Sequence, residues 1–498
     1  MPTWPAALHP RISRKASRIS LKSGRRALPA SDPAPACLAG LDGGVGSGHA
    51  HANGAGAADM TTGTSAASAE GFSPGLPERV MKKAQLRLLP LLFFAYMIAI
   101  IDRANISFAA QTMNADLGFS ASVFGFAGGI FFVSYALLEV PSNMLMMRFG
   151  TRLWVTRIMI SWGVISAAQM FVTTPMQFYA LRFLLGAAEA GFFPAILYYA
   201  SLWFPAQWRG RVISRFYVAQ PVTQIVMGLV SGPILGLEGV SGLHGWQWLF
   251  LLEACPAIAM GFIIWRFLPD TPEQVGWLAP DERQWLTGAL ASEASTSTAH
   301  TSVFKAISDP RVLKFGIIWL LCTGGLNAYL VAMQLVLAEK TGFSANGVGQ
   351  LTAVCGVVGV FMLLGLSARS DRRQERFWHV MLPWAVGAGA FIALAVSDLP
   401  VVAMTAAVLI AATILPVHSV FYAALTEGLH ERHRAVSIAA VNTFGQFGSF
   451  MATSGFGVAR DATGSYNAGL AAIAAGAVVS VVLLNSLRRQ TAAAAMRE

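Results

Sequence analysis

The sequence predicts an all-α membrane protein that crosses the bilayer twelve times, in two halves of six helices each. Three observations predict this fold class. The 498 residues are 55% hydrophobic and 12% charged, with a mean hydropathy of +0.56, whereas a soluble chain carries about 25% charged residues. Apolar stretches of about 20 residues, the length that spans a bilayer, recur along the chain. One long polar interruption then divides these stretches into two equal sets.

Six apolar stretches precede the polar interruption and six follow it, which is the pattern of a two-halved transporter fold. We call them spans 1 to 12, and they cover residues 88–109, 122–142, 153–172, 176–200, 212–236, 247–268, 314–337, 346–367, 378–397, 400–425, 435–457 and 467–487. The domain organisation that follows is a first half over residues 81–268, a linker over 269–313, a second half over 314–488 and a tail over 489–498.

Residues 1–80 differ in composition from the rest of the chain. Seven Lys and Arg lie within residues 1–26, no acid precedes Asp32, and a Gly/Ala/Ser-rich run follows to residue 69. Such a segment cannot bury a core, so it is predicted to be a disordered basic tail. It lacks the apolar stretch of a secretory signal. Two interpretations stay open: translation begins at Met60 or Met81, or the tail is translated and unstructured.

The distribution of positive charge predicts the orientation in the membrane. Of the 35 Lys and Arg, 24 lie in the even-numbered loops, the flanks and the linker, and two, Lys340 and Arg460, lie in odd-numbered loops. Because positive loops stay cytoplasmic, both termini and the linker are predicted to be cytoplasmic, in a bacterial-type inner membrane. The net charge of +10 is therefore a topology signal, and nucleic acid is not a predicted partner.

Motifs for catalysis and for metal binding are not found in the sequence. The four cysteines are far apart and have no paired Cys or His at metal-ligand spacing: Cys37, Cys255, Cys322 and Cys355. No nucleophile motif and no Walker A phosphate loop is present, which disfavours an enzyme and an ATP-driven pump. The sequence thus predicts no cofactor and no metal.

Four charges are predicted at membrane depth in the first half. Asp102 and Arg103 are adjacent in span 1, and Arg182 and Glu189 are two turns apart on one face of span 4. Since each intramembrane charge costs about 2.5–3.5 kcal/mol on insertion scales, the set predicts an anion site with proton carriers. The alternative is a pair of static ion pairs, Asp102 with Arg103 and Glu189 with Arg182, that holds helices together.

Two further acids lie in spans of the first half. Glu139 is late in span 2, and Glu253 is in the first turns of span 6. We interpret Glu139 as a member of a structural or gating ion pair, and we expect Glu253 to pack against the cytoplasmic-half helices.

Five strings, each at a matching span or loop, resemble one family of transporters. They are residues 101–106, 139–143, 181–194, 268–283 and 370–379. Over about residues 80–488 the chain resembles the anion:cation symporter family of the major facilitator superfamily, which includes tartrate, phthalate, hexuronate and galactonate permeases. The tartrate permease-like subgroup is the most similar. The chain departs from the family at Met147, at Ile100 and at residues 331–334, and the last two differences leave the exact substrate open.

The resemblance implies the major facilitator fold and a role for each matching residue. By this likeness Arg103, Arg182, Tyr135 and Asn442 would bind substrate, and Asp102 and Glu189 would couple protons. Structural or gating roles are predicted for four residues at the cytoplasmic ends of spans 2 and 8, Glu139, Arg148, Asp371 and Arg372; Arg148 lies in the loop where the chain departs from the family at Met147.

The implied activity is proton-coupled uptake of a small organic acid anion by alternating access. Its partners would be the anion, protons and the lipid bilayer, and we expect a monomer. Three alternatives stay open: uptake of a less acidic solute such as a ureide or a neutral aromatic compound, export of drugs or metabolites, and a channel or sensor.

Overall fold

The computed structural model describes residues 75–294, 309–429 and 434–495. Eight helices form the first half: α1 Leu76–Leu117, α2 Ala121–Phe149, α3 Thr151–Ala168, α4 Pro175–Glu189, α5 Phe192–Trp203, α6 Ala206–Tyr217, α7 Ala219–Leu235 and α8 Gly245–Phe267. The linker contains α9, Pro280–Ala294. The second half consists of α10 Pro310–Thr341, α11 Ala345–Arg373, α12 Phe377–Val396, α13 Pro400–Gly428, α14 Arg434–Thr463 and α15 Asn467–Ala495. The described parts of the chain contain no β-strand.

Every predicted span coincides with helix, which confirms the all-α, twelve-span architecture. By length and composition, eight helical segments in the described residues are able to cross a membrane. Span 4 differs from the prediction because it consists of two helices, α4 and α5, separated at Ala190 and Gly191. Gly191 has φ +86°, a left-handed conformation that glycine adopts without strain.

Span 5 is also divided, into α6 and α7. Pro221 lies in the first turn of α7 and has no N–H to donate to residue 217. Its ring also clashes with the carbonyl group of that residue in a continuous helix. The helix therefore ends at Tyr217 and starts again at Ala219.

Three predicted boundaries need correction. Residues 76–80, predicted as tail, are the start of α1. Leu76 and Val80 are fully buried there, so this segment packs against the rest of the first half. Residues 489–495, also predicted as tail, continue α15 in an alanine-rich sequence that favours helix. The linker is partly helical and gives way to α10 at Pro310. Residues 1–74, which are predicted to be disordered, lie outside the described residues. The same holds for a Ser/Thr-rich run of the linker, residues 295–302, and for Arg432.

The two halves are closed against each other at one end of the bundle. We call it the far end, and it carries the α1–α2 and α10–α11 connections. There α2 packs on α14, and a Cβ atom at Gly125 would lie 2.7 Å from the carbonyl oxygen of Thr453. The carboxylate of Asp461 on α14 accepts hydrogen bonds from the N–H groups of Ala121 (3.1 Å) and Ser122 (2.8 Å). Helices α7 and α11 also make backbone contact.

At the opposite end, which we call the linker end, the linker docks on the first half. Lys83 Nζ contacts Glu282 Oε1 at 2.6 Å, and the Tyr199 hydroxyl donates to the carbonyl oxygen of Pro269 at 2.7 Å. Burial raises the pKa of Glu282, but the hydrogen bonds from Lys83 and from the N–H of Ala279 outweigh it and lower that pKa below its usual range. The linker is thus held by the helices on which the site is built.

Candidate functional site

A cavity of about 130 Å³ lies between the two halves, at the level of Arg103. Helices α1, α2, α4 and α7 of the first half and α10 of the second contribute its lining: Tyr96, Ile100, Arg103, Ala104, Ser107, Phe108, Phe131, Phe132, Arg182, Gln220, Gln224, Asn327, Leu330, Val331 and Met333. Both intramembrane arginines predicted from the sequence therefore reach one cavity.

Arg103 is oriented on α1 by contacts with two neighbouring helices. Its Nε donates to Glu189 Oε1 at 2.6 Å. The guanidinium carbon lies 4.9 Å from the ring centre of Tyr135 and 5.5 Å from that of Phe131. The side chain is still 37% exposed, so the N–H groups that Glu189 does not use are left to the Tyr135 hydroxyl and the cavity. These N–H groups can donate hydrogen bonds to a carboxylate in the planar geometry typical of arginine.

Glu189 is the last residue of α4, and its side chain is 1% exposed. Its ion-pair partner is Arg103 on α1 rather than Arg182 on its own helix, which corrects the predicted pairing. Arg182 and Glu189 share a face, but seven residues separate them by about 10 Å along the helix axis. The crossing helix α1 brings Arg103 to the carboxylate instead.

Arg182 and Asp102 are both buried, and their charges interact, but within the described residues they form no ion pair. Arg182 Nε donates to the carbonyl oxygen of Ala127 at 3.4 Å, and its guanidinium lies 5.1 Å from the ring centre of Phe131. The carboxylate of Asp102 lies near the Ser166 hydroxyl and within range of the charges of Arg182 and Arg103, but neither of its oxygens has a hydrogen bond of standard geometry. Adjacent helical residues point about 100° apart, so Asp102 faces away from the cavity into which Arg103 extends.

The remaining predicted substrate-binding residues do not line this cavity. Tyr135 packs against the guanidinium of Arg103 and is 3% exposed. Asn442 lies nearer the linker end, where its Nδ2 is 3.4 Å from both carboxylate oxygens of Glu139 and its Oδ1 accepts from Tyr422 at 3.4 Å. Within the described residues, Glu139 has this amide partner and no ion pair, so the ion pair predicted for it is wrong. The Glu139–Asn442 contact joins the two halves.

The other predicted structural or gating residues lie at the surface of the linker end. Arg148 is exposed, with its guanidinium 5.8 Å from the ring centre of Phe149. Asp371 is exposed and pairs with Arg376 Nη1 at 2.5 Å, and Arg372 is exposed. The structure therefore places these residues away from the cavity.

Several lining residues were not predicted from the sequence. Tyr96 and Ser107 are seven residues before and four residues after Arg103, on the same face of α1, and this spacing is the signal that could have found them. Asn327 is an isolated polar residue in the apolar stretch of α10, where its Nδ2 donates to Ser449 Oγ at 2.9 Å. Gln220 and Gln224 are four residues apart on one face of α7, and their spacing in an apolar stretch is the signal that could have found them.

The cavity has two chemically different walls. Both of its charged lining residues belong to the first half, whereas α10 contributes Asn327 and three apolar residues, Leu330, Val331 and Met333. On the same face of α1, toward the linker end, a second and open cavity of about 540 Å³ is lined by Lys82, Leu86, Leu89 and Phe93, among others. The arrangement can hold an anion at one wall and an apolar group at the other.

Comparisons with known proteins agree with this architecture. The family model of the Major Facilitator Superfamily matches residues 92–453. A protein of Agrobacterium vitis named "Putative tartrate transporter" is 40% identical over 423 residues, which are 84% of this chain and 93% of that protein. A protein of Acinetobacter baumannii named "Quinolone resistance transporter" is 33% identical over 82% of this chain and 96% of its own length.

Among solved structures, a D-xylose–proton symporter superimposes with a TM-score of 0.65 at 14% identity, over 80% of this chain and 97% of that one. This likeness concerns the fold. The relatives agree with the anion:cation symporter resemblance, and the family match spans most of both six-helix halves. The chain therefore belongs to the major facilitator superfamily and is a multi-pass membrane transporter of the secondary type.

Proposed function

We propose that this protein takes up a small organic acid anion together with protons, by alternating access to the cavity at Arg103. The observation that supports this most is the Arg103–Glu189 ion pair at 2.6 Å, with Glu189 buried and Arg103 exposed to the cavity. An arginine held on one side by a titratable acid can exchange that acid for a substrate carboxylate. Arg182, on the same cavity, offers a second cation.

The energetics of anion uptake require protons. An anion enters a negative-inside cell against about 2.3 kcal/mol per charge at 100 mV. Each proton cancels one charge, and a gradient of one pH unit adds about 1.4 kcal/mol per proton. A monoanion that enters with two protons, or a dianion with three, is therefore concentrated inside.

The Arg103–Glu189 ion pair and the longer-range interaction of Asp102 with the charge of Arg182 suggest how protons and substrate alternate. A proton on Glu189 removes the charge that holds Arg103, so that the guanidinium turns to the substrate. A proton on Asp102 does the same for Arg182. With the site loaded, the far-end contacts between α2 and α14 and between α7 and α11 separate as the halves rock.

The orientation and domain boundaries belong to the same proposal. Positive loops favour a cytoplasmic location for the linker end and both termini, at an inner membrane. The halves are divided at residues 269–309, and the protein acts as a monomer. A reporter fused after Ser241 should then report the periplasm, and one at the C-terminus the cytoplasm. A periplasmic signal from the C-terminus would contradict this orientation.

The test of transport uses proteoliposomes with labelled tartrate as the probe, because relatives are named for it. Asp102→Asn and Glu189→Gln should each abolish uphill uptake driven by a proton gradient and keep counterflow exchange, whereas Glu78→Gln, at the exposed start of α1, should keep both. A folded Glu189→Gln protein that still drives tartrate uphill would remove Glu189 from coupling. Static ion pairs predict instead that yield and melting temperature fall together.

One observation favours a second candidate, a less acidic solute with an aromatic or other apolar body. The α10 wall of the cavity is mostly apolar, and Phe93 and Leu89 line the neighbouring open cavity. Benzamide, a neutral aromatic probe, should compete with tartrate uptake weakly if Arg103 dominates affinity. Competition stronger than that of benzoate would favour this second candidate.

A further inference from the structure

Glu253 on α8 is a buried acid that the four-charge network does not use. The residue is 7% exposed, and neither carboxylate oxygen has a hydrogen bond of standard geometry. Within the described ranges, no Lys, Arg or His forms an ion pair with it.

The groups around Glu253 form what we call the polar seam: Asp102 and Asn105 of α1, Ser166 of α3, and Glu253 itself. Asn105 and Ser166 are fully shielded from solvent, and Asn105 Nδ2 lies 3.5 Å from Ser166 Oγ. Glu253 interacts with the Asn105 amide and with the charge of Asp102, while Asp102 interacts with Ser166. The seam thus runs from Glu253 to a member of the candidate coupling site.

The charged groups on the helices packed against α8 leave Glu253 without a cation. Helix α7 contains no ionisable residue. On α3 the ionisable residue nearest to Ser166 in the sequence is Arg157. It precedes Ser166 by nine residues, so the two lie about 13 Å apart along the helix axis, with Arg157 toward the linker end. On α1 the ionisable neighbours are Asp102 and Arg103, and Arg103 is held by Glu189. On α8 itself Arg266 lies 13 residues after Glu253. His244, at the N-cap nine residues before Glu253, is engaged by Glu238 and Asp116.

A buried carboxylate without a cation is strongly destabilising, whereas the neutral acid is far less so. Two acids that interact at close range also do not both ionise readily. Neither acid has an ion pair, but the charges of Arg182 and Arg103 act on Asp102, whereas no cation of the described residues acts on Glu253. The proton of the pair therefore belongs on Glu253 while Arg182 faces Asp102.

We propose that Glu253 is a proton-binding site that exchanges its proton with Asp102 through the polar seam. This deepens the proposed function and rests on it for its place in transport. When Arg182 turns to a substrate carboxylate, Asp102 loses its cation and accepts the proton. The O–H bond at Glu253 breaks as one forms at Asp102. The pair carries a single negative charge before and after the step.

The test is infrared difference spectroscopy of the full chain in lipid vesicles at neutral pH, without substrate. Wild type minus Glu253→Gln should show the carbonyl band of one protonated carboxylic acid. Asp102→Asn should keep that band, and wild type minus Glu78→Gln, an exposed acid, should show none. A folded Glu253→Gln protein with the full wild-type band overturns the proposal. Because no substrate is used, this outcome is independent of whether wild type takes up tartrate.

Stability provides a second readout. Glu253→Gln removes no ion pair, so its melting temperature should equal or exceed that of wild type, and a clear fall would assign Glu253 a structural role and overturn the proposal. If the variant cannot be purified folded, Glu253→Asp replaces it. The shorter acid must then shift the carbonyl band, and an unshifted band assigns the absorbance to another residue.

Discussion

Replacing Arg103 by lysine tests whether the guanidinium binds the substrate. The change keeps the positive charge and removes the planar fork. In the structure one N–H group of Arg103 is already used by Glu189, at 2.6 Å, and the others remain for Tyr135 and the cavity. A lysine ammonium offers three donors from one nitrogen atom, so contacts with Glu189 and with a substrate compete for the same atom.

Arg103→Lys should weaken substrate binding by the free energy that one charge-assisted hydrogen bond contributes. Such a bond contributes about 1.5–3 kcal/mol, which corresponds to a roughly 10- to 150-fold rise in Kd at about 1.4 kcal/mol per factor of ten. The ion pair with Glu189 adds little to this difference, because lysine can keep it. We therefore expect a large change in affinity and a small change in melting temperature.

The measurement is the Kd of labelled tartrate for purified protein, with the melting temperature determined on the same samples. Arg266→Lys is the matched control, since Arg266 is an exposed residue at the end of α8 and should leave Kd unchanged. If Arg103→Lys is folded and binds tartrate within threefold of wild type, the guanidinium is not the anion clamp and the reasoning is refuted.

Three further predictions follow from the packing and from the linker. Gly125→Trp should hold the far end open, because even a Cβ atom there would lie 2.7 Å from the carbonyl oxygen of Thr453. To measure this, a cysteine is introduced into the cavity lining and an impermeant thiol reagent is added on the far-end side; the extent of labelling should rise. Gly191→Ala should lower the melting temperature, by a cost of about 1–2 kcal/mol for a left-handed alanine, while Gly365→Ala, in open space, should not. At a pH above the usual glutamate pKa of about 4.3, ionised Glu282 stabilises the docking of α9. This stabilisation is lost as the pH falls through the lower pKa that Glu282 has in the folded protein. Hydrogen exchange of α9, corrected for intrinsic rates, should therefore increase in acid in wild type and change less in Glu282→Gln.

The membrane fold was predictable because each spanning helix is specified by its own stretch of sequence. A run of about 20 apolar residues specifies a spanning helix without reference to any other part of the chain, and all twelve runs are helical in the structure. The breaks at Gly191 and before Pro221 were not predicted. The apolar composition continues through both breaks, and the backbone geometry that divides each span depends on single residues.

The candidate site was predictable in its membership and not in its contacts. Asp102, Arg103, Arg182 and Glu189 stood out because charges are costly at membrane depth, and the structure does bring them together. Asn442 was matched to substrate binding and lies against Glu139 instead, 303 residues away in the chain. Its position in span 11 is a local property, whereas the helix that it meets is not.

The sequence by itself therefore determined that this chain is a twelve-span membrane protein with four charged residues at membrane depth in its first half. The tertiary structure decided that Glu189 pairs with Arg103, that Asp102 forms no ion pair but lies within range of the charge of Arg182, and that Glu253 is left without a cation among the described residues. The physical reason is that partner choice depends on the rotation of each helix about its axis and on where helices cross. Both are set by side-chain packing between segments far apart in the chain, and no local pattern of residues records them.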